Sequence, residues 1–448
     1  MSKKRGSQGA AYSMNRRHFL RGATAAAVFP YIIPASARGA GGAVAPSNRI
    51  TLGCIGMGRM GLGDLNDFLR RNEIQVQAVC DVDGKRREHA RNVVEKHYAK
   101  NKESGAYTGC DAYNEFEELV ARDDIDLVSI VTPDHWHIIP AIAAAKSGKD
   151  IFLQKPLSLT VEEGRALSDV VRERQRVFLV GSQQRSDRRF RFACELARNG
   201  RLGKVHTVKV GFGIDPPCGV EPEMPVPEWL DYDRWLGQAP WAAYTEKRVH
   251  PQKGYDRPGW LRIRAYGGGM MTGWGAHHLD IAQWGLGTES SGPVEIDGKG
   301  EYPKEGLWDV HGPFDIMYTY ANGVRVHCAN TNDQGVRFEG DAGYVAVRRG
   351  AIKAEPASLL KTSFGPDEPR LYRSDDHKGN LLACIKSRKE TVAPVEVAHR
   401  SCTMCILGNI AMELSRKVQW DPEQERFVND SEADQKLGRA MRRPWTLG

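Results

Sequence analysis

Between residues 49 and 180 the chain alternates short, unbroken apolar runs with longer amphipathic stretches. Residues 49–55 (Arg-Ile-Thr-Leu-Gly-Cys-Ile) read as a buried strand, and a glycine-rich turn then opens a helical pattern through Phe68 and Leu69. A second strand is predicted at 74–80, with further strands at 127–131, 150–153 and 177–180. Helices are predicted at 85–98, 113–121, 138–147 and 161–174; Phe116, Leu119 and Val120 stand at helical spacing in the second of these. Apolar strands that do not alternate are buried on both faces, so this order predicts a doubly wound parallel sheet covered by helices. The pattern then changes. Residues 205–213 and 314–330 read as longer strands with partial alternation, which predicts an α+β unit built on a mostly antiparallel open sheet. Between them, 215–269 is rich in proline, tryptophan and glycine and reads as a binding surface or packing arm. Two closing helices are predicted at 377–390 and 398–418. The predicted division is a nucleotide domain at 49–180, an α+β domain for substrate and oligomer contacts at 181–376, and helices with a tail at 377–448 that pack back on the body.

The amino terminus follows neither pattern. Residues 1–37 hold six basic side chains and no acidic ones, then a short apolar stretch and the small-residue exit Ala35-Ser36-Ala37. Charged start, short apolar middle and small-residue exit describe a signal peptide. Arg16-Arg17-His18-Phe19-Leu20 resembles a twin-arginine export signal, which implies a periplasmic or otherwise exported protein. Residues 38–48 read as a linker. Without residues 1–37 the formal charge falls from +7 to +1, which leaves no electrostatic footprint for nucleic acid. No apolar run reaches the ~18–20 residues of a spanning helix, so stable membrane insertion is not expected. Hydrophobic residues at 41% and charged residues at 27% exclude disorder and fibrous classes. The nine scattered cysteines make no disulfide framework; Cys402-x-x-Cys405 lies in an apolar run and reads as helix packing, and no metal site is predicted.

Gly56-Met57-Gly58-Arg59-Met60-Gly61 is a G-x-G-x-x-G turn between a strand and a helix, with Asp81 twenty residues beyond it at the end of the second strand. Such glycines allow the backbone to approach a pyrophosphate at a helix N-terminus, and the carboxylate is placed for a ribose 2′-hydroxyl. Repulsion between Asp81 and a 2′-phosphate favours NAD, while Lys85 and Arg86 nearby keep NADP possible. The segment Thr132-Pro133-Asp134-His135-Trp136-His137 follows the 127–131 strand at the edge where open α/β sheets bind ligands. His135 and His137 lack further ligands at metal spacing, which leaves lining the cofactor or structuring the loop.

The fingerprint, Thr132-Pro133-x-x-x-His137, Gln154-Lys155-Pro156 and the run from Gly267 to Asp280 together resemble the glucose–fructose oxidoreductase/inositol dehydrogenase/rhizopine-catabolism family (Gfo/Idh/MocA). The resemblance extends from about residue 49 to the end of the chain. It implies a Rossmann domain that binds NAD(P) through residues 56–61, Asp81, Thr132, Pro133, Asp134, His137, Gln154 and Lys155. It also implies catalytic Lys155 and His277, the latter preceded in the family by an aspartate that falls here on Gly273; the family glutamate before the lysine is Gln154. Asp280, one turn beyond His277, joins Lys155 and His277 as a substrate-binding candidate. The implied activity is NAD(P)-dependent oxidoreduction at CH–OH groups of a sugar, polyol or glycoside. Export adds the expectation of a tightly held NAD recycled within each cycle. The alternatives are a redox-neutral, NAD-dependent glycosidase or lyase and a non-catalytic sugar-binding homologue. A homo-oligomer, dimer or tetramer, is expected to use the half-solvated second sheet.

Overall fold

The computed structural model describes residues 48–103 and 107–447. The export leader and most of the linker predicted for 1–48 lie outside them. The first sheet has six parallel strands in the order β3-β2-β1-β4-β5-β6: β1 (Ile50–Ile55), β2 (Ile74–Cys80), β3 (Asp111–Tyr113), β4 (Leu127–Ile130), β5 (Asp150–Leu153) and β6 (Phe178–Val180). Every residue of β4 and β5 is buried, as expected of mostly apolar strands covered on both faces. Chain order reverses between β1 and β4, which opens a crevice at their carboxyl ends. Local chemistry fixes the helices. Asp83 caps helix Gly84–His97 by accepting from the Lys85 and Arg86 amides, and Thr160 with Glu163 forms a reciprocal capping box on helix Val161–Glu173.

The second sheet has nine strands in the order β13-β12-β11-β7-β10-β9-β8-β14-β15. Its members are β7 (Val205–Gly211), β8 (Glu295–Gly300), β9 (Phe314–Thr319), β10 (Arg325–Ala329), β11 (Gly335–Gly340), β12 (Gly343–Arg348), β13 (Ala351–Glu355), β14 (Val418–Asp421) and β15 (Arg426–Phe427). All neighbours are antiparallel except β7 with β10. Along β9, Phe314, Ile316 and Tyr318 are buried while Asp315 faces outward, so one side of the sheet carries the core. Helix Val395–Leu414 covers that side so closely that a methyl group on Gly298 of β8 would stand 3.1 Å from the backbone of Met412.

Two expectations are corrected. Residues 113–121 are not one helix: Asp111–Tyr113 pairs with β2 as an edge strand, and only Phe116–Val120 is helical. The stretch 314–330 is a hairpin, since Asn322 and Gly323, the latter at φ +85°, turn the chain between β9 and β10. Cys402 and Cys405 are buried and reduced within helix Val395–Leu414, and the Cys402 thiol donates to the Ser158 carbonyl at 3.3 Å.

The arm predicted at 215–269 forms its own apolar cluster of Leu230, Tyr232, Trp235, Tyr244, Val249, Ile263 and Tyr266. This cluster is sewn to the carboxyl edge of the first sheet. The Gly84 amide donates to the Trp229 carbonyl at 2.7 Å, the Asp231 amide to the Val82 carbonyl at 3.0 Å, and the Trp136 indole to the Trp235 carbonyl at 2.9 Å.

Candidate functional site

A cavity of about 320 Å³ runs along the crevice from Cys80 and Asp81 to Lys155, Gly273 and Trp274. Each part of its floor has a backbone reason. Gly56, at φ +86°, lies so close to β4 that a methyl group there would stand 2.6 Å from the Val131 carbonyl oxygen. Gly61 packs helix Arg59–Leu69 onto the strand, its would-be methyl 1.8 Å from the Gly56 carbonyl oxygen. At Gly58 a methyl group would meet only Arg86 Nη1, at 4.0 Å, so this backbone stays open to the cavity. The helix starts at Gly58 with no side-chain cap and no acid in its first turn, which leaves its amide groups for an anion.

Asp81 accepts from the Met57 amide at 2.6 Å and the Asp83 amide at 2.8 Å, one on each oxygen. Burial raises its pKa, and these bonds oppose the rise. A carboxylate offers about four acceptor positions, so two remain for hydroxyl groups. The Thr132 hydroxyl on the cavity wall is buried and has no partner among the described residues. Bare amides, a carboxylate with spare acceptors and an orphaned hydroxyl suit a pyrophosphate and ribose. The two cations that kept NADP open are engaged elsewhere. Lys85 Nζ sits 3.1 Å from the Trp229 ring centroid, and Arg86 donates to the Pro251 carbonyl at 3.1 Å and stacks on Tyr255 at 4.6 Å.

Of the sequence-predicted residues, Gly56, Gly58, Arg59, Met60, Asp81, Thr132, Pro133, Asp134, His137, Gln154 and Lys155 line this cavity. Met57 is buried beneath it and acts through its amide. His137 Nδ1 lies 2.6 Å from the Pro156 carbonyl and holds the loop after β5; burial lowers its pKa to about 4, so the ring is neutral. His135 is a second staple, its Nε2 3.0 Å from the Trp235 carbonyl and its pKa lowered to about 3 by burial. Gln154 donates to Asp64 at 2.7 Å, and the other Asp64 oxygen accepts from Lys378 at 2.7 Å. A glutamate here would set two carboxylates against each other, which accounts for the amide.

The end of the cavity away from Asp81 is built by Lys155 after β5, Asp134 after β4 and the π-helical turn Met271–Gly275. The Lys155 amide donates to Gln154 Oε1 at 3.4 Å, whereas its ammonium group has no hydrogen bond or ion pair among the described residues. Burial lowers its pKa, with Asp134 opposing the change. Asp134, which accepts from the Thr272 hydroxyl at 3.4 Å, has its carboxyl raised by burial to about 7, with Lys155 opposing. Nothing lies within 4 Å of a methyl group added at Gly273, so no neighbour occupies the space of a side chain there. His277 stands just behind this wall, its ring 6.1 Å from that of Trp274 and its Nδ1 buried without a partner among the described residues. Burial, then the Lys155 charge, holds its pKa well below the usual histidine value.

The Asp280 expectation is corrected. Its carboxylate is buried away from the cavity, 2.8 Å from Arg185 Nε, and it accepts from the Ser401 hydroxyl at 2.7 Å. Asp280 belongs to the core. Sequence reasoning missed His250, Arg257, Trp260 and Leu261, which bring the arm into the cavity wall; only the aromatic and proline content of 215–269 pointed to them. His250 Nε2 lies 2.9 Å from Asp83 Oδ2. Burial alone would raise Asp83, but the His250 and Arg86 interactions outweigh it and hold its carboxyl below the usual range.

A glycine cradle with a ribose-facing carboxylate, opening onto a partner-free lysine, defines a dinucleotide-binding protein of the oxidoreductase type. Comparison with known families makes this specific. The model of the Gfo/Idh/MocA NAD-binding Rossmann fold matches residues 50–182, and the model of that oxidoreductase family's C-terminal alpha/beta domain matches 219–447. The chain belongs to this family. An alpha-N-acetylgalactosaminidase of Shewanella oneidensis is 30% identical over 209 residues, which is 43% of this chain and 45% of that protein, so the match spans less than half of the relative. Among solved structures, an aldose-aldose oxidoreductase from Caulobacter crescentus complexed with glycerol aligns at TM-score 0.57 and 18% identity, over 83% of this chain and 99% of that one. The WlbA dehydrogenase from Bordetella pertussis, in complex with NADH and UDP-GlcNAcA, aligns at TM-score 0.60 and 14% identity with the same coverage. These likenesses share the fold.

Asp81→Ala is expected to weaken NAD about tenfold or more, the cost of losing charge-assisted hydrogen bonds, and to leave NADP affinity little changed. Titration of cofactor-stripped protein with both dinucleotides measures the ratio; an unchanged preference would remove Asp81 from ribose recognition.

Proposed function

We propose that the protein is an NAD-dependent oxidoreductase acting at a CH–OH group of a sugar, polyol or glycoside, with its NAD retained through the catalytic cycle. The observation that carries this reading is that one cavity joins the dinucleotide cradle to Lys155 and Asp134. Gly56, Gly58, Asp81 and Thr132 would hold NAD, which supplies the hydride acceptor when bound. Lys155 Nζ donates to the substrate oxygen and stabilises the alkoxide as its proton leaves. The Asp134 carboxylate is the acceptor of that proton, and Thr272 orients it. Neutral His277, with Nδ1 free, offers a second acceptor behind Gly273.

Retention is supported by the arm, which ties His250 to Asp83 and Pro251 to Arg86 across the ribose end of the cavity. It also suits an exported enzyme, which meets no nicotinamide pool. The test is to denature the purified protein and assay the supernatant for nicotinamide dinucleotide, then to follow sugars and glycosides without added cofactor. About one NAD per chain and turnover without supplement are expected. Cofactor lost on dialysis, with turnover only on added NAD, would overturn retention; no affinity for any adenine dinucleotide would overturn the whole reading.

Redox-neutral glycoside cleavage is the second reading, supported by the glycosidase name of the Shewanella relative. Release of free sugar from a glycoside, with no net change in bound NAD, would select it.

A pH dependence follows. Burial raises the Asp134 carboxyl to about 7, so the proton-accepting form predominates above that value and declines below it. The groups that face it are Lys155, the Thr272 hydroxyl and the Gly268 amide. In this reading kcat/KM declines on the acid side of about pH 7, approaching tenfold per pH unit, and Asp134→Asn loses activity together with that limb. A limb that persists in the variant would assign the base elsewhere.

A further inference from the structure

At Trp274 the cavity adjoins a second cleft, and two cations without an ion pair among the described residues lie there: Lys155 in the cavity wall and Arg349 in the adjoining cleft. The Lys155 ammonium group is without a hydrogen-bond or ion-pair partner among the described residues. Arg349, at the turn between β12 and β13, lays its guanidinium 4.6 Å from the Trp274 ring centroid and makes no ion pair or hydrogen bond among the described residues. Arg257 reaches the wall from the arm with its Nη2 3.0 Å from Asp215 Oδ1, but that same oxygen also takes Arg262 Nε at 3.0 Å. One carboxylate therefore serves two guanidinium groups. Asp256 also lines the cavity and, like Arg257 and Arg349, is exposed to solvent; it forms no ion pair with either among the described residues. Beside these cations, Trp274 presents a ring to the cavity and Gly273 leaves open space with no atom within 4 Å of an added methyl group.

We propose that the substrate is an acidic sugar, a hexuronic acid or its glycoside, whose carboxylate sits over Gly273 between Arg349 and Lys155. The inference rests on the reading of this cavity as a sugar site. The sugar's apolar face stacks on Trp274, and the planar guanidinium of Arg349 matches a carboxylate through two parallel hydrogen bonds. Gly273 is part of the recognition: a carboxylate side chain there would both fill the space and repel the ligand. Arg349 is thus a specificity-determining residue that the fold delivers from β12, more than seventy positions after Trp274.

Calorimetric titration of the NAD-containing protein tests this, with glucuronate, galacturonate, glucose, galactose and glucose 6-phosphate as probes. At least one hexuronate is expected to bind tenfold or more tightly than its neutral hexose. Arg349→Gln brings that ratio close to one, and Gly273→Asp, which has room for its side chain, does the same. Equal affinities for acid and neutral sugar, an unchanged ratio in Arg349→Gln, or preference for the phosphate alone would overturn the proposal while the sugar reading stands. If no sugar binds although NAD content is full, the reading of the site as a sugar site falls with it.

Discussion

Lys155→Met lowers kcat on any sugar or glycoside the wild-type protein turns over by about 10²–10³, the usual cost of removing one preorganised donor to a developing oxyanion. The argument is geometric. Lys155 lines the cavity at the carboxyl edge of the first sheet, and no side chain among the described residues competes for its ammonium group. Burial disfavours its charge and Asp134 restores it, so the group is a cation held ready in a site with little competing hydration. Methionine keeps the length and apolar stem, so the fold and the NAD content per chain should be unchanged. Rapid-quench or steady-state kinetics beside an NAD assay separates the effects. A variant with full NAD and turnover within twofold of wild type would move the chemistry away from this lysine.

The second large effect concerns stability. Asp280→Ala removes a carboxylate from a buried cluster in which Arg185 has 2% of its side chain exposed and also meets Glu289 at 2.8 Å. Removing one partner of a buried pair costs about 3–5 kcal/mol because the other charge is left without its compensation; Glu289 should hold the loss near the lower figure. The unfolding midpoint in urea is therefore expected to fall well below that of the wild type, while the NAD content and KM of the folded fraction remain close to it. A raised KM with an unchanged midpoint would instead return Asp280 to the substrate.

These two residues also show how far sequence carries. The parallel sheet was legible because β1, β4 and β5 are almost wholly buried and read as short, mostly apolar runs without alternation. Edge strand β3 was not: its three residues are partly or fully exposed and follow no period. Strands β12 and β13 interleave apolar residues with arginine, lysine and glutamate, and the pairing of β12 to β11 and of β13 to β12 is set by tertiary contact. The glycine turn and Asp81 were readable because their spacing is itself the mechanism. Asp280 was misread because helical spacing placed it beside His277, whereas its partners Arg185 and Ser401 lie 95 and 121 residues away in the chain. The amide at Gln154 made sense only with Asp64 opposite it, 90 residues earlier on the fingerprint helix.

The arm that ties Trp229, His250 and Pro251 to the loop after β2 has one more consequence. If it encloses NAD as proposed, bound coenzyme cannot exchange until several backbone and side-chain contacts open together, so the chain would take up its nicotinamide during maturation. Coenzyme supply would then govern how much competent protein accumulates, and leave the speed of each turnover untouched.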